Sequence, residues 1–197
     1  RLREFLIAAS RQSRSEMRSS MKIGILAVQG AFAEHEQMLE QLGAEYIELR
    51  KGEDVRQSYD GLILPGGEST VQGKLMRELD MFDTIQSQIK NGMPVLATCA
   101  GAILLAQQLS NDAATHLATL PAVVRRNAYG RQLGSFSVDE QIEGIGTFPM
   151  RFIRAPYIEK VLDDTKVLAK VDGNIVMVEN KNQLAMSFHP ELTSDTR

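Results

Sequence analysis

The stretch Ala97-Thr98-Cys99-Ala100-Gly101 decides how the rest of the chain is read. An apolar run from Pro94 to Ala97 meets a helix-like run from Ala100 to Leu109, so a strand is expected to end on the cysteine and turn at once into a helix. Cys99 is the only cysteine. Such an elbow holds the side chain up on a tight bend, where a helix N-terminus favours a thiolate. The small neighbours Ala100 and Gly101 suit the crowding there. A buried structural thiol fits the same five residues equally well, because unpaired cysteine is among the most buried residue types. The remaining chain separates the two readings.

Outward from this elbow the pattern is regular. Ile23 to Val28 is a short β-rich run ending in Gln29-Gly30, and Phe32, Met38, Leu39 and Leu42 have helical spacing before a helix stop at Gly43. Tyr46 to Leu49 and Gly61 to Leu64 read as strands, Met76 to Ile89 as a helix with a break, and Val95 to Thr98 as the strand that leads into Cys99. This alternation predicts a single α/β domain with an open, mostly parallel sheet, helices on both faces and right-handed crossovers. After Asn111 the texture becomes β-like, with runs at Val123-Val124, Ser135 to Val138, Phe148 to Ile153, Lys166 to Val171, Ile175 to Val178 and Leu184 to Phe188. Asp172-Gly173-Asn174 marks a hairpin. These runs are expected to add strands rather than a second core.

Composition narrows the class. A chain of 197 residues with 43% hydrophobic and 24% charged residues is an ordinary globular domain. No apolar stretch approaches the ~20 residues that span a bilayer, so no membrane association is expected. A single cysteine rules out an internal disulfide framework and fits a reducing cytoplasm. The net charge of −3 argues against nucleic acid as the main partner. Residues 1–20 stand apart: five Arg and two Glu give them +3 and leave −6 for the rest. This Arg/Ser-rich leader is similar to an organelle transit peptide, but an expression scar or upstream read-through ahead of a start at Met21 is the preferred reading. The domain is taken as residues 21–197.

An open α/β sheet binds ligands at its strand-end loops, and four of these carry unusual residues. They are Gln29-Gly30, Leu64-Pro65-Gly66-Gly67-Glu68-Ser69-Thr70, the Cys99 elbow and Ser187-Phe188-His189-Pro190-Glu191. A thiol nucleophile needs a base, and the base needs an orienting group. His35, between Glu34 and Glu36, is assigned to a solvated helix face, and His116 to the surface. His189 follows an apolar strand, and Glu191 can reach its imidazole if Pro190 forces an extended bend. That makes Cys99, His189 and Glu191 a nucleophile–base–acid set.

The Gly66-Gly67 loop lacks the lysine of a phosphate cradle. It suits an oxyanion hole formed by the amides of Gly67 and Ala100, each such donor supplying roughly 3 kcal/mol. A plain turn before a helix capped by Ser69 or Thr70 would also account for the glycines, though not for their company. One Cys and three scattered His form no metal-ligand spacing, and the dinucleotide fingerprint is absent, so no metal or cofactor is expected.

The runs Pro65 to Thr70, Thr98 to Gly101 and Ser187 to Thr193 together resemble the class I glutamine amidotransferases. Gly24 to Gly30 with Glu34-His35, Arg126 to Gln132, and Phe152 to Pro156 narrow the resemblance to glutaminase subunits of pyridoxal 5′-phosphate synthase, from Met21 to the C-terminus. The resemblance implies a flavodoxin-like fold in which Cys99 attacks the side-chain amide of L-glutamine, with His189 as base and acid and Glu191 orienting it. A glutamyl thioester would form, ammonia leave and glutamate follow. Gly66, Gly67, Glu68, Arg126, Ile153 and Arg154 match the glutamine-binding positions, and an arginine fork suits the substrate carboxylate. Gln29 matches a position near the oxyanion region and partner interface. The implied partner is a barrel-shaped, oligomeric synthase subunit that uses the ammonia to build pyridoxal 5′-phosphate. Two departures stand out: Arg125 occupies a position where the family carries an acidic residue, and a final helix expected after Arg197 is missing.

A peptidase or redox-sensing thiol protein of a related α/β superfamily would share the sheet and the elbow cysteine, but Glu191 and the glutamine-binding loop speak against it. A non-catalytic subunit that only binds the synthase has no use for all three members of the set.

Overall fold

The computed structural model describes residues 21–127 and 134–197. Residues 1–20 and the Ala128 to Gln132 part of the family resemblance lie outside the described residues. The first half runs Lys22–Leu26 (β1), Phe32–Gln41 (α1), Glu45–Leu49 (β2), Gly52–Val55 (α2), Gly61–Leu64 (β3), Ser69–Glu78 (α3), Phe82–Lys90 (α4), Val95–Thr98 (β4) and Ala100–Leu105 (α5). The second half is nearly all strand: Ala106–Leu109 (β5), Leu120–Arg125 (β6), Ser135–Ile142 (β7), Gly146–Ile153 (β8), Tyr157–Val161 (β9), Lys166–Val171 (β10), Asn174–Asn180 (β11) and Gln183–Met186 (β12), with a 3-10 turn at Pro190–Leu192.

Among the described residues, ten strands form one sheet in the order β2-β1-β3-β4-β12-β11-β9-β6-β5, with β10 on β11. The pairs β1–β2, β1–β3, β3–β4, β4–β12 and β5–β6 are parallel. The pairs made by β9, β10 and β11 are antiparallel. Strands β1, β3 and β4 read as continuous apolar runs because both faces of the sheet are covered. One face packs Leu62, Leu64, Val95 and Ala97 against Met76, Ile85, Ile89, Ala102 and Leu105 of α3, α4 and α5. The other packs Ile23, Ile25, Ile63 and Leu96 with Leu39 of α1 and with Ile142, Phe148, Met150 and Phe152 of a separate β7–β8 ribbon. Phe152 stacks on Phe136 at 4.6 Å and meets Phe188 edge-on at 5.8 Å, which pins the ribbon to the sheet. Burying Phe152 and Phe188 contributes on the order of 2–3 kcal/mol each. Among the described residues no helix is long and apolar enough to cross a membrane.

The predicted strands and the Asp172-Gly173 hairpin are present, with positive φ at both turn residues as the primed turn demands. Four expectations need correction. The helix after Cys99 stops at Leu105, and Ala106–Leu109 continues as β5 because it pairs with β6. The helical segment expected at Met76 to Ile89 has its expected break, at Asp80 with φ 58°, but its first helix, α3, starts back at Ser69. His116 is half-buried rather than on the surface, with its Nδ1 sealed from solvent and its ring against Gly73. His35 is only 2% exposed and faces the sheet rather than solvent. It lies three residues from Phe32 and from Met38 and four from Leu39, so it shares the apolar stripe of α1.

Two consequences can be measured. A Cβ on Gly101 would run into the carbonyl oxygen of Leu64, where α5 crosses the end of β3. Gly101→Ala is therefore expected to lower the urea-unfolding free energy by about 2–3 kcal/mol. Burial holds the His35 imidazole below its ordinary pKa of 6.5, outweighing the opposing pull of Glu191. The unfolded chain then takes up a proton that the folded one refuses, so stability present above pH 6.5 is lost as the pH falls. Between about pH 7.5 and about pH 5.5 the thermal midpoint should fall further for the natural chain than for His35→Gln.

Candidate active site

Three neighbouring parallel strands end side by side. Leu64 of β3 is level with Ala97 of β4, and Met186 of β12 is level with Thr98. Their C-terminal loops carry Gly66 to Glu68, Cys99 and His189 to Glu191, so residues more than a hundred positions apart meet at one sheet edge. The Cys99 amide donates to Met186 O at 2.8 Å, and its backbone takes φ 51° and ψ −108° between strand and helix. A non-glycine residue held there costs roughly 1–3 kcal/mol, and the sheet pairing on both sides is what holds it.

His189 is clamped from two directions. Its amide donates to Arg151 O of β8 at 2.8 Å, and its Nδ1–H donates to Glu191 Oε1 at 2.5 Å. The route to Glu191 is a 3-10 turn starting at Pro190, not the extended bend expected from the proline. With Nδ1 occupied, Nε2 is left for the Cys99 thiol, which hydrogen-bonds the ring. Burial disfavours a charged imidazole, but the bonds to Cys99 and Glu191 outweigh it and push His189 up to about 10. Burial also disfavours the Glu191 carboxylate, yet His35 and His189 together hold it below the usual range. The Cys99 thiol in turn lies 3.7 Å from the carbonyl of Ile153.

These residues border a cleft of about 510 Å³, lined by Gln29, Gly66, Gly67, Glu68, Cys99, Ala100, Arg126, Ile153, Arg154 and His189 among others. The structure thus brings together every residue named from the sequence, with Glu191 behind His189 and Arg125 outside the cleft. A side chain at Gly66 would collide with the His189 ring, so glycine is what allows that loop so close. The Gly66 carbonyl accepts from Ala31 N at 3.1 Å; in a planar trans peptide the Gly67 N–H therefore points the other way. Gln29 Oε1 accepts the Glu68 amide at 2.8 Å, and Gln72 Nε2 donates to both Gln29 O and Pro65 O at 3.2 Å. The amide of Ala100 opens α5 and has no acceptor within the helix. Arg126 is held by Asp112 at 2.8 Å, its amide donates to Asn111 Oδ1 at 3.1 Å, and Arg154 sits exposed at φ 43°. No cluster of His, Cys, Asp or Glu suited to a metal ion occurs among the described residues.

Sequence reasoning missed several contributors. His35 Nε2 lies 3.3 Å from Thr98 Oγ1 and 3.6 Å from Glu191 Oε1. Its place on the apolar stripe of α1 was the available signal. Gln72 and Asp112 offered none, because their partners are set by loop packing across the fold.

A family model described as the SNO glutamine amidotransferase family matches residues 25–197. A protein of Desulfitobacterium hafniense (strain DSM 10664 / DCB-2) named pyridoxal 5'-phosphate synthase subunit PdxT is 63% identical over 177 residues, covering 90% of this chain and 89% of that relative. A protein of the same name from Streptococcus pneumoniae (strain CGSP14) is 54% identical over 178 residues, covering 89% and 92%. A solved structure titled as a glutamine amidotransferase superposes with a TM-score of 0.84 at 43% identity, covering 88% of this chain and 93% of its own. A Thermotoga maritima PurLQS structure, at 17% identity and a TM-score of 0.65, shares the fold over 90% of this chain and 91% of its own. With the matched stretch containing β2 to β12, the sheet edge and the whole cleft, this chain belongs to the SNO glutamine amidotransferase family.

Proposed function

We propose that this chain hydrolyses L-glutamine to L-glutamate and ammonia and hands the ammonia to a synthase subunit that builds pyridoxal 5′-phosphate. The observation that carries the reading is the meeting of Cys99, His189 and Glu191 at the ends of β4 and β12, with the 2.5 Å His189–Glu191 contact beside the cleft. The glutamine amidotransferase family match supports the substrate, and the two relatives named as pyridoxal 5'-phosphate synthase subunits support the synthase partner. The partner is a barrel-shaped, oligomeric subunit, and the setting is the cytoplasm, where a lone thiol stays reduced.

In the mechanism, the proton of the Cys99–His189 pair rests on His189, and Cys99 Sγ attacks the side-chain amide carbon. The oxygen of the tetrahedral intermediate accepts from the Gly67 and Ala100 amides. His189 returns the proton to the departing nitrogen, which leaves as ammonia, and a glutamyl thioester remains. Water then attacks the thioester, His189 takes its proton and gives it to sulfur, and glutamate is released. Glu191 fixes the ring tautomer and stabilises the imidazolium between these transfers. Arg126 and Arg154 bind the substrate carboxylate, Gly66, Gly67, Glu68 and Ile153 form the wall around the side chain, and Gln29 braces the loop through Glu68.

The test is glutamate release from L-glutamine, with the chain alone and mixed with its synthase subunit. Activity should rise on mixing and fall at least about 10³-fold in Cys99→Ala at unchanged thermal midpoint. Full activity in that variant would overturn the assignment. Asp112→Ala frees Arg126 without touching the thiol, so KM for glutamine should rise about tenfold while kcat stays within about twofold.

A further inference from the structure

His35 is a buried titratable side chain that the mechanism above does not use. It reaches in from α1 to the two elements that carry the reactive groups. Its Nε2 is 3.3 Å from the hydroxyl of Thr98, the residue before the nucleophile, and 3.6 Å from Glu191 Oε1, the oxygen that also receives His189 Nδ1–H. The other carboxylate oxygen, Glu191 Oε2, is buried and has no hydrogen-bond partner among the described residues. Around the pair the surroundings are apolar, with Leu96, Met186 and Phe188 lining the pocket. A buried carboxylate in such a place is costly unless nearby dipoles and charges hold it.

The tautomer follows from the neighbours. A lone pair on Nε2 aimed at a carboxylate oxygen would be repelled, so the proton sits on Nε2, where Thr98 Oγ1 accepts it and Glu191 feels the positive end of the N–H dipole. Burial keeps the ring neutral. A neutral ring braces the carboxylate without competing for its charge, which stays available to His189. The charged and titratable groups around His35 are Glu191 and His189 from the last turn and Glu34 on its own helix, with the Asp195–Arg197 pair on the same pocket wall.

We propose that His35 is a positioning residue of the site, a neutral brace that ties Thr98 to Glu191 and so sets the Glu191 carboxylate against His189. This rests on the glutaminase reading for its effect on turnover, but its effect on the thiol–imidazole pair does not. Helix α1 then serves the site twice: the loop ahead of it holds Gly66 and Glu68 through Ala31 and Gln29, and its second contact, through His35, holds the acid from behind.

The test compares the natural chain with His35→Leu, His35→Gln and Thr98→Val. The first readout is the rate of Cys99 alkylation by iodoacetamide against pH, which reports the Cys99–His189 pair and needs neither glutamine nor a partner. Removing the N–H leaves the Glu191 carboxylate and hence the imidazolium less well held. His35→Leu should therefore move the acid-side midpoint up by about one pH unit. His35→Gln, which puts an amide N–H near the place of Nε2, should bring it back. In glutamine hydrolysis with the synthase subunit present, His35→Leu should lower kcat about tenfold with KM within about twofold. An unshifted alkylation profile in His35→Leu, or the same shift in His35→Gln, overturns the proposal. Should His35→Leu not fold by its thermal midpoint, Thr98→Val decides, since it removes only the hydroxyl that holds His35. A profile shifted the same way supports the brace and an unshifted one overturns it. Shifted profiles with no glutamine turnover in the natural chain would overturn the glutaminase reading and leave the brace standing.

Discussion

The site depends on the pairing of β4 with β3 on one side and β12 on the other. All three strands are parallel and end at one level, so three loops from distant parts of the chain are delivered to one edge at hydrogen-bonding distance. The strained backbone of Cys99 is affordable only there: its amide is tied to Met186 O, and α5 begins at once and cannot relax because Gly101 lies against Leu64. Remove either neighbour and the elbow has no reason to stay at positive φ. The reactive geometry is thus a property of the sheet before it is a property of the side chains.

Two further elements fix what the sheet leaves loose. The β7–β8 ribbon is outside the main sheet, yet its aromatic contacts to Phe188 seat it so that Arg151 O receives the His189 amide and Ile153 O meets the thiol. On the opposite flank α1 and the loop before it brace the glycine loop. Both supports pack in one core on the same face of the sheet and reach the same few residues from it. His189, Glu191, His35 and Thr98 are linked through short polar contacts, which helps such a network rigidify a site, although Glu191 Oε2 has no partner among the described residues.

The electrostatics show why two histidines in one neighbourhood behave oppositely. His189 and His35 are both buried and both near Glu191, but His189 makes the 2.5 Å bond and also meets Cys99, while His35 stands at 3.6 Å with a hydroxyl as its closer partner. Short-range hydrogen bonds win over burial in the first case, and burial wins in the second. The carboxylate between them is held in its charged form by both.

Much of this was legible in the residues. The apolar runs of β1, β3 and β4, the alternation with helices, the elbow around Cys99, the glycine loop and the His189–Glu191 pair all follow from local pattern, because strand periodicity, turn chemistry and the small residues beside a nucleophile are written within a few positions. What local pattern could not decide were partners across the fold. The end of the helix at Leu105 came from the pairing of β5 with β6, and the 3-10 turn at Pro190 from the ring contact that Glu191 had to reach. Arg126 is held by Asp112, fourteen residues away, through loop packing alone. His35 is the instructive case. Its flanking glutamates suggested a solvated face, whereas the three- and four-residue spacing to Phe32, Met38 and Leu39 placed it on the buried one. Only the tertiary structure decided what that buried imidazole meets, because Thr98 and Glu191 reach it from strands and turns whose relative positions are set by sheet pairing and not by any neighbour in sequence.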